Sequence, residues 1–270
     1  MLQIQKLDKT FNRDTMNSVH ALNQVDLTIE DSSFVVVVGT NGSGKSTLLN
    51  AVAGTFLSDT GRIKLADTDI TKWPEHKRAR FIGRVFQDPF KGTAPGMTIA
   101  ENLALASKRG QSRGLAQALN RSVTEDFKGR LASLNMGLED RLNNPIGSLS
   151  GGQRQAITLL MATWLKTDLL LLDEHTAALD PRAADQIIRL TTEIVSQKKL
   201  TTMMVTHSMN QAVSQGDRLI MMHKGEIIHD LSGAEKSRLR PDDLLVRFDD
   251  IRRSEQLDRC AARLLEANYV

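Results

Sequence analysis

At 270 residues and a net charge of +3, the chain is long enough for a substantial core, and its charges of both signs are well mixed. Its longest apolar runs, at 34–38 and 169–172, are far too short to cross a bilayer, and its one cysteine, Cys260, excludes an internal disulfide framework. No basic stripe marks a nucleic-acid surface, and residues 1–6 lack the apolar stretch of a secretory signal, so a cytoplasmic protein with no nucleic-acid partner is expected.

Strand-like runs at 2–7 and 21–29 open the chain, followed by a buried-strand run at 34–38. Gly39, Thr40, Asn41, Gly42, Ser43, Gly44, Lys45 and Ser46 come next, and a helix is predicted over 46–53. Strand, glycine turn and helix start form the context that a phosphate-cradling loop requires. Glycines let backbone N–H groups turn inward, and the helix N-terminus adds partial positive charge. Lys45 is placed to reach the β- and γ-phosphates of a nucleoside triphosphate, Ser46 to hold Mg²⁺, and Thr47 to contact the α-phosphate. Further strands are predicted at 61–65 and at 81–86, the latter ending at Gln87. The basic run Lys77-Arg78-Ala79-Arg80 between them reads as a solvated helix end.

From 92 to about 140 the pattern turns helical, with leucines at 103, 105, 115, 119, 131 and 134 among many charges. Trp164 and its apolar neighbours read as a buried helix face. Strand character returns at 169–172 and 201–205, and a hairpin is predicted from 218–222 through a turn at 223–226 to 227–228. Strands alternating with helices predict a mostly parallel α/β sheet with the helical stretch as a separate lobe. From 231 the chain is charged and is predicted to be helical.

Four more motifs follow the phosphate loop. Asp173 and Glu174 end the leucine strand, Asp173 placed to hold Mg²⁺ through its water shell and Glu174 to polarise an attacking water. Leu149-Ser150-Gly151-Gly152-Gln153 precedes a helix and reads as a second anion-binding helix start. Gln87 can reach the metal and the attacking water, and His207, closing another strand, can hydrogen-bond the γ-phosphate. A guanine-reading Asn-Lys-x-Asp element does not occur, which disfavours a GTPase.

This set resembles the ATPase subunit of ATP-binding-cassette (ABC) transporters, whose signature is the Leu-Ser-Gly-Gly-Gln run. The resemblance covers about residues 1–230 and implies a P-loop NTPase (RecA-like) core with an antiparallel β subdomain. It also implies an inserted helical subdomain at about 92–160, with 231–270 as a short tail. It implies that Phe11 stacks on adenine and that Ala178-Leu179-Asp180 is the D-loop. Two ATP–Mg²⁺ are sandwiched in such proteins by a head-to-tail homodimer, with Ser150, Gly151 and Gly152 acting in trans. His175 stands where that family usually has proline, and it is expected to be neutral and structural. The wording around Gln87 and Glu174 is similar to an importer branch that works with a separate permease and an extracytoplasmic binding protein, some members being linked to aromatic amino acids. The resemblance thus implies a peripheral ATPase on the cytoplasmic face of the membrane, with residues 90–102 and the helical lobe gripping the permease. An exporter ATPase, a non-transport ABC ATPase acting on nucleic acid or ribosomes, and a P-loop small-molecule kinase are the competing readings.

Overall fold

The computed structural model describes residues 1–110, 119–251 and 253; Leu115, Cys260 and the end of the tail lie outside them. Among the described residues, ten strands form two sheets. One is antiparallel, in the order β2-β1-β4-β5, from β1 (Leu2–Phe11), β2 (Val19–Ile29), β4 (Thr60–Leu65) and β5 (Thr68–Asp69). The other runs β10-β9-β3-β8-β7-β6, from β3 (Phe34–Gly39), β6 (Ile82–Val85), β7 (Leu169–Asp173), β8 (Thr202–Val205), β9 (Arg218–His223) and β10 (Glu226–Ser232). It is parallel except at the edge strand β10, which returns from β9 as the predicted hairpin. The expected mostly parallel α/β core with an antiparallel sheet is therefore present.

The α-helices among the described residues are α1 (Lys45–Ala53), α2 (Glu75–Arg78), α3 (Ile99–Ser107), α4 (Arg121–Ala132), α5 (Gly151–Ala162), α6 (Pro181–Lys198), α7 (Met209–Ser214) and α8 (Gly233–Arg238), with α9 over 241–251. None of the helices among the described residues is long and apolar enough to cross a membrane. Because side chains alternate along a strand, β3 feeds two cores. Val35 and Val37 pack with Leu48, Leu49 and Val52 of α1 and with Leu2 and Ile4 of β1. Val36 and Val38 pack on the other face with Val195 of α6, Ala212 of α7, and Leu244 and Phe248 of α9. A third core, built on Leu103, Phe127, Leu131 and Trp164, joins α3 and α4 to α5.

Several boundaries differ from the sequence-based expectation. β1 continues to Phe11 because a bulge, with Lys6 at φ 43°, restores pairing after the apolar alternation stops. β6 stops at Val85, so Gln87 lies in the bend beyond the strand end. β10 runs to Ser232, so the first two residues of the expected tail, Leu231 and Ser232, belong to the strand. The solvated helix end at 77–80 is corrected at Arg78, which is 1% exposed. Its guanidinium donates to the carbonyls of Ala51 and Val52 at the end of α1, and to those of Thr71 and Trp73, at 2.7–2.9 Å. Free helix-terminal carbonyls need a donor, and a buried cation supplies one to four at once.

Candidate functional site

All six residues of β3 are buried, and the strand delivers the chain to a loop that glycine alone permits. Gly42 and Gly44 have φ of 77° and 100°. A Cβ at Gly44 would stand 2.5 Å from the Ala21 carbonyl oxygen. The loop is pinned from behind, where the Gly225 N–H in the β9–β10 turn donates to the Ser43 carbonyl at 3.0 Å and Gly225 in turn accepts from Asn23 N–H at 2.9 Å. α1 then starts with no side-chain cap and no acid in its first turn, leaving its positive end uncompensated.

Lys45 is buried, and its Nζ donates to the carbonyls of Gly39 and Thr40, both at 2.9 Å. Burial holds its pKa below the usual lysine value, while the nearby carboxylates Glu174 and Asp173 pull in the opposite sense. Ser46 and Asn41 are exposed beside it, and Thr40 and Thr47 are half-buried.

Strands β7 and β8 end next to the loop, at the carboxyl edge of the parallel sheet where such folds bind ligands. Asp173 is the last residue of β7. Glu174 follows at φ 45°, a left-handed conformation uncommon for a residue with a side chain, held by its N–H donating to the Val205 carbonyl at 3.0 Å. Glu174 Oε1 lies 2.6 Å from His207 Nε2, the carboxylate side chain mostly covered and the imidazole 46% exposed. The loop carrying His207 is braced by Thr206 Oγ1 donating to Gln211 Oε1 (2.8 Å), and Gln211 Nε2 donates to Thr176 Oγ1 (3.0 Å). Lys45, Asp173, Glu174 and His207 thus gather at one mouth.

A cavity of about 680 Å³ opens beside it, reached by His207 but not lined by Lys45, Asp173 or Glu174, with Gly39, Thr40, Asn41, Gly42 and Ser43 on one side. Leu245, Phe248 and Asp249 of α9 line the other. No residue of 150–153 is among the described residues that line it.

The signature residues sit instead at the start of α5. Ser150 caps it in a reciprocal box, its Oγ accepting from Gln153 N–H at 3.2 Å and its N–H donating to Gln153 Oε1 at 3.3 Å. Gly151 is exposed and Gly152 buried, where a Cβ would meet Ala183 Cβ at 3.0 Å. Asp180 N-caps α6, accepting from Ala183 N–H at 3.0 Å. Gln87 is exposed, and the carbonyl of Phe86 before it accepts from the buried Gln155 Nε2 at 3.2 Å. Phe11 is half-buried, edge-on to Phe56 at 5.2 Å between ring centres. His175 is buried away from solvent, its Nε2 3.1 Å from Thr191 Oγ1, and burial pushes its pKa down to about 4, so the ring is neutral.

Three features were absent from the sequence reading. α9 walls the cavity, although nothing in its composition signals that. Arg78 closes the end of α1. Arg84, on β6, reaches Asp173 at 3.4 Å; a lone cation among the buried residues Ile82, Gly83 and Val85 was the available clue.

The chain is similar to known proteins over most of its length. The profile described as ABC transporter matches residues 22–177. The tyrosine transport ATP-binding protein of Clostridioides difficile (strain R20291) is 43% identical over 249 residues, spanning 92% of this chain and 99% of that protein. The sulfate/thiosulfate import ATP-binding protein CysA 2 of Agrobacterium fabrum (strain C58) is 34% identical over 247 residues, 92% of this chain and 68% of that one. Among solved structures, the dimeric post-hydrolysis state of the ATP-binding cassette MJ0796 bound to ADP and Pi superposes with a TM-score of 0.74. Its identity is 26%, over 86% of this chain and 98% of that one.

Proposed function

The chain belongs to the ABC transporter family, and on that premise we propose that it drives uptake of an aromatic amino acid through a separate permease. It is an ATPase that energises an importer, hydrolysing ATP to ADP and phosphate with Mg²⁺ as cofactor. The observation that carries the site assignment is the 2.6 Å approach of Glu174 and His207 beside the Lys45 loop. Glu174 is the base that takes the proton of the attacking water, and His207 orients that carboxylate and the γ-phosphate. Lys45, held by neutral oxygens of its own loop (the carbonyls of Gly39 and Thr40 and the Ser43 hydroxyl), exchanges them for phosphate oxygens of higher charge. Gly39, Thr40, Asn41, Gly42, Ser43, Gly44 and Thr47 surround the phosphates, and Gln87 lies on the metal and water side.

The exposed hydroxyl of Ser46 and the carboxylate of Asp173 are hard oxygen donors of the kind that hold Mg²⁺ beside phosphates, so the residues present fit the ion. Bound there, Mg²⁺ neutralises charge on the phosphate oxygens. Phe11 offers an aromatic face for adenine.

The start of α5 has no acid in its first turn, so the N–H groups of Gly151 and Gly152 with Ser150 form an anion site that lacks an anion from its own chain's loop. A second copy placed head to tail supplies it, with Gln153 and Asp180 at the shared boundary. The ATPase unit runs through β10 to Ser232 with the lobe at about 92–160 inserted, and the chain beyond it forms the tail, whose α9 packs on the second core. The protein works on the cytoplasmic face of the membrane, against a permease served by an extracytoplasmic binding protein. The full-length match to a tyrosine transport relative supports an aromatic amino acid as cargo.

Uptake tests this reading. Proteoliposomes holding this subunit with the permease and binding protein that co-purify with it should accumulate labelled tyrosine or tryptophan only with ATP. ATP-dependent uptake of sulfate instead, with none of either aromatic, would overturn the cargo.

A further inference from the structure

β6 is buried at Ile82, Gly83 and Val85, and Arg84 leaves it with a side chain 13% exposed. The Arg84 guanidinium spans the gap between two elements of the site. Its Nη2 donates to Asn50 Oδ1 on α1 at 2.5 Å and to Asp173 Oδ2 at the end of β7 at 3.4 Å. Its Nη1 donates to Thr55 Oγ1 just past α1 at 3.0 Å. The Phe86 ring lies 4.5 Å beneath the guanidinium carbon, which keeps the fork in one plane.

Asn50 is four residues beyond Ser46 and therefore on the same face of α1. One rigid group thus connects the helix that carries Ser46 to the carboxylate of Asp173. Apolar packing between α1 and the sheet fixes the two backbones, but it leaves the soft terminal torsion of an aspartate free. A planar fork with directed N–H groups removes that freedom, which a lysine ammonium, a point charge on a flexible stem, does not. The same positive charge offsets repulsion between the adjacent carboxylates Asp173 and Glu174.

We propose that Arg84 is the positioning residue of the Mg²⁺ site, its bridge from Asn50 to Asp173 setting the rotamer of that carboxylate and its distance from Ser46. The inference rests on the assignment of Ser46 and Asp173 to the metal side of the nucleotide. It goes beyond that assignment by giving the metal donors an outer partner, and loss of such partners typically weakens metal binding by about 10- to 100-fold.

Binding, rather than turnover, is the direct readout. Fluorescence of an N-methylanthraniloyl-ATP probe on the full-length protein gives nucleotide affinity in EDTA, and then the Mg²⁺ midpoint at fixed nucleotide. Arg84→Lys keeps the charge but gives up the planar fork and the Thr55 anchor that hold Nη2 between its two acceptors, and Asn50→Ala removes one anchor while leaving the Arg84–Asp173 pair. Each should raise the Mg²⁺ midpoint, by about tenfold for Arg84→Lys, with affinity in EDTA and melting temperature near wild type. Ser46→Ala and Asp173→Ala are the controls and should shift the midpoint further. If the controls shift it and both Arg84→Lys and Asn50→Ala coincide with wild type, Arg84 has no positioning role. Equal loss of affinity with and without Mg²⁺ also overturns the proposal, because that is a general structural defect. If the controls themselves leave the midpoint unmoved, the assignment of the metal side fails first.

Discussion

Acidification should unfold this protein in part through His175, and the size of the effect follows from its surroundings. The ring is 2% exposed, and its Nε2 is 3.1 Å from Thr191 Oγ1. Thr191 already donates its hydroxyl proton to the Ile187 carbonyl at 2.8 Å, so it accepts from the imidazole N–H and fixes the neutral tautomer. Burial lowers the histidine pKa from 6.5 to about 4. Between those values the unfolded chain binds a proton that the folded chain refuses, so stability is full above pH 6.5 and falls as pH drops towards 4. Integrated from pH 7 to pH 5, that difference amounts to about 2 kcal/mol from this one residue. Urea unfolding at both pH values, on wild type and on His175→Gln, isolates it. Glutamine retains an amide N–H for Thr191 and does not titrate, while other groups titrate alike in both proteins. Wild type should lose about 2 kcal/mol more than the variant over this interval. Equal losses would refute the claim that the buried ring is excluded from protonation.

Arg78→Met should destabilise the fold by about 3 kcal/mol, because it strips a charged donor from four carbonyls, two at the end of α1 and those of Thr71 and Trp73; chemical denaturation measures this, and a loss below about 1 kcal/mol would contradict it. Gly44→Ala combines a positive φ with a 2.5 Å approach to the Ala21 carbonyl, so it should lose about 1–3 kcal/mol and most nucleotide affinity, whereas wild-type ATP binding would count against the loop geometry. Glu174→Gln should retain ATP binding, lower phosphate release by about a hundredfold or more, and elute as an ATP-bound dimer; near-normal release would remove Glu174 as the base.

The phosphate loop and the ends of β7 and β8 were legible in the sequence because their chemistry is local. Glycines at fixed offsets, a lysine at a helix start and two acids closing a leucine run each state their environment within a few residues. What stayed hidden depends on partners far along the chain. Arg78 looks like one of several surface cations until the carbonyls of Ala51 and Val52 are seen beneath it. Arg84 reads as part of a strand, and only the parallel pairing of β6 with β7 brings it to Asp173. The bulge at Lys6 hid the outer half of β1, since it breaks the two-residue alternation by which a strand is recognised. The placement of α9 against the cavity follows from Leu244 and Phe248 joining the second core, a tertiary preference that its charged sequence masks.

The arrangement in which one copy's Lys45 loop and another's Ser150 turn enclose a single nucleotide is tested most directly by complementation. Lys45→Ala and Ser150→Arg proteins, each checked for folding and each inactive alone, are mixed and assayed for phosphate release. Each mixed dimer contains an intact Lys45 facing an intact Ser150, so hydrolysis should return on mixing. Two folded, pairing variants that stay silent together would contradict the shared site.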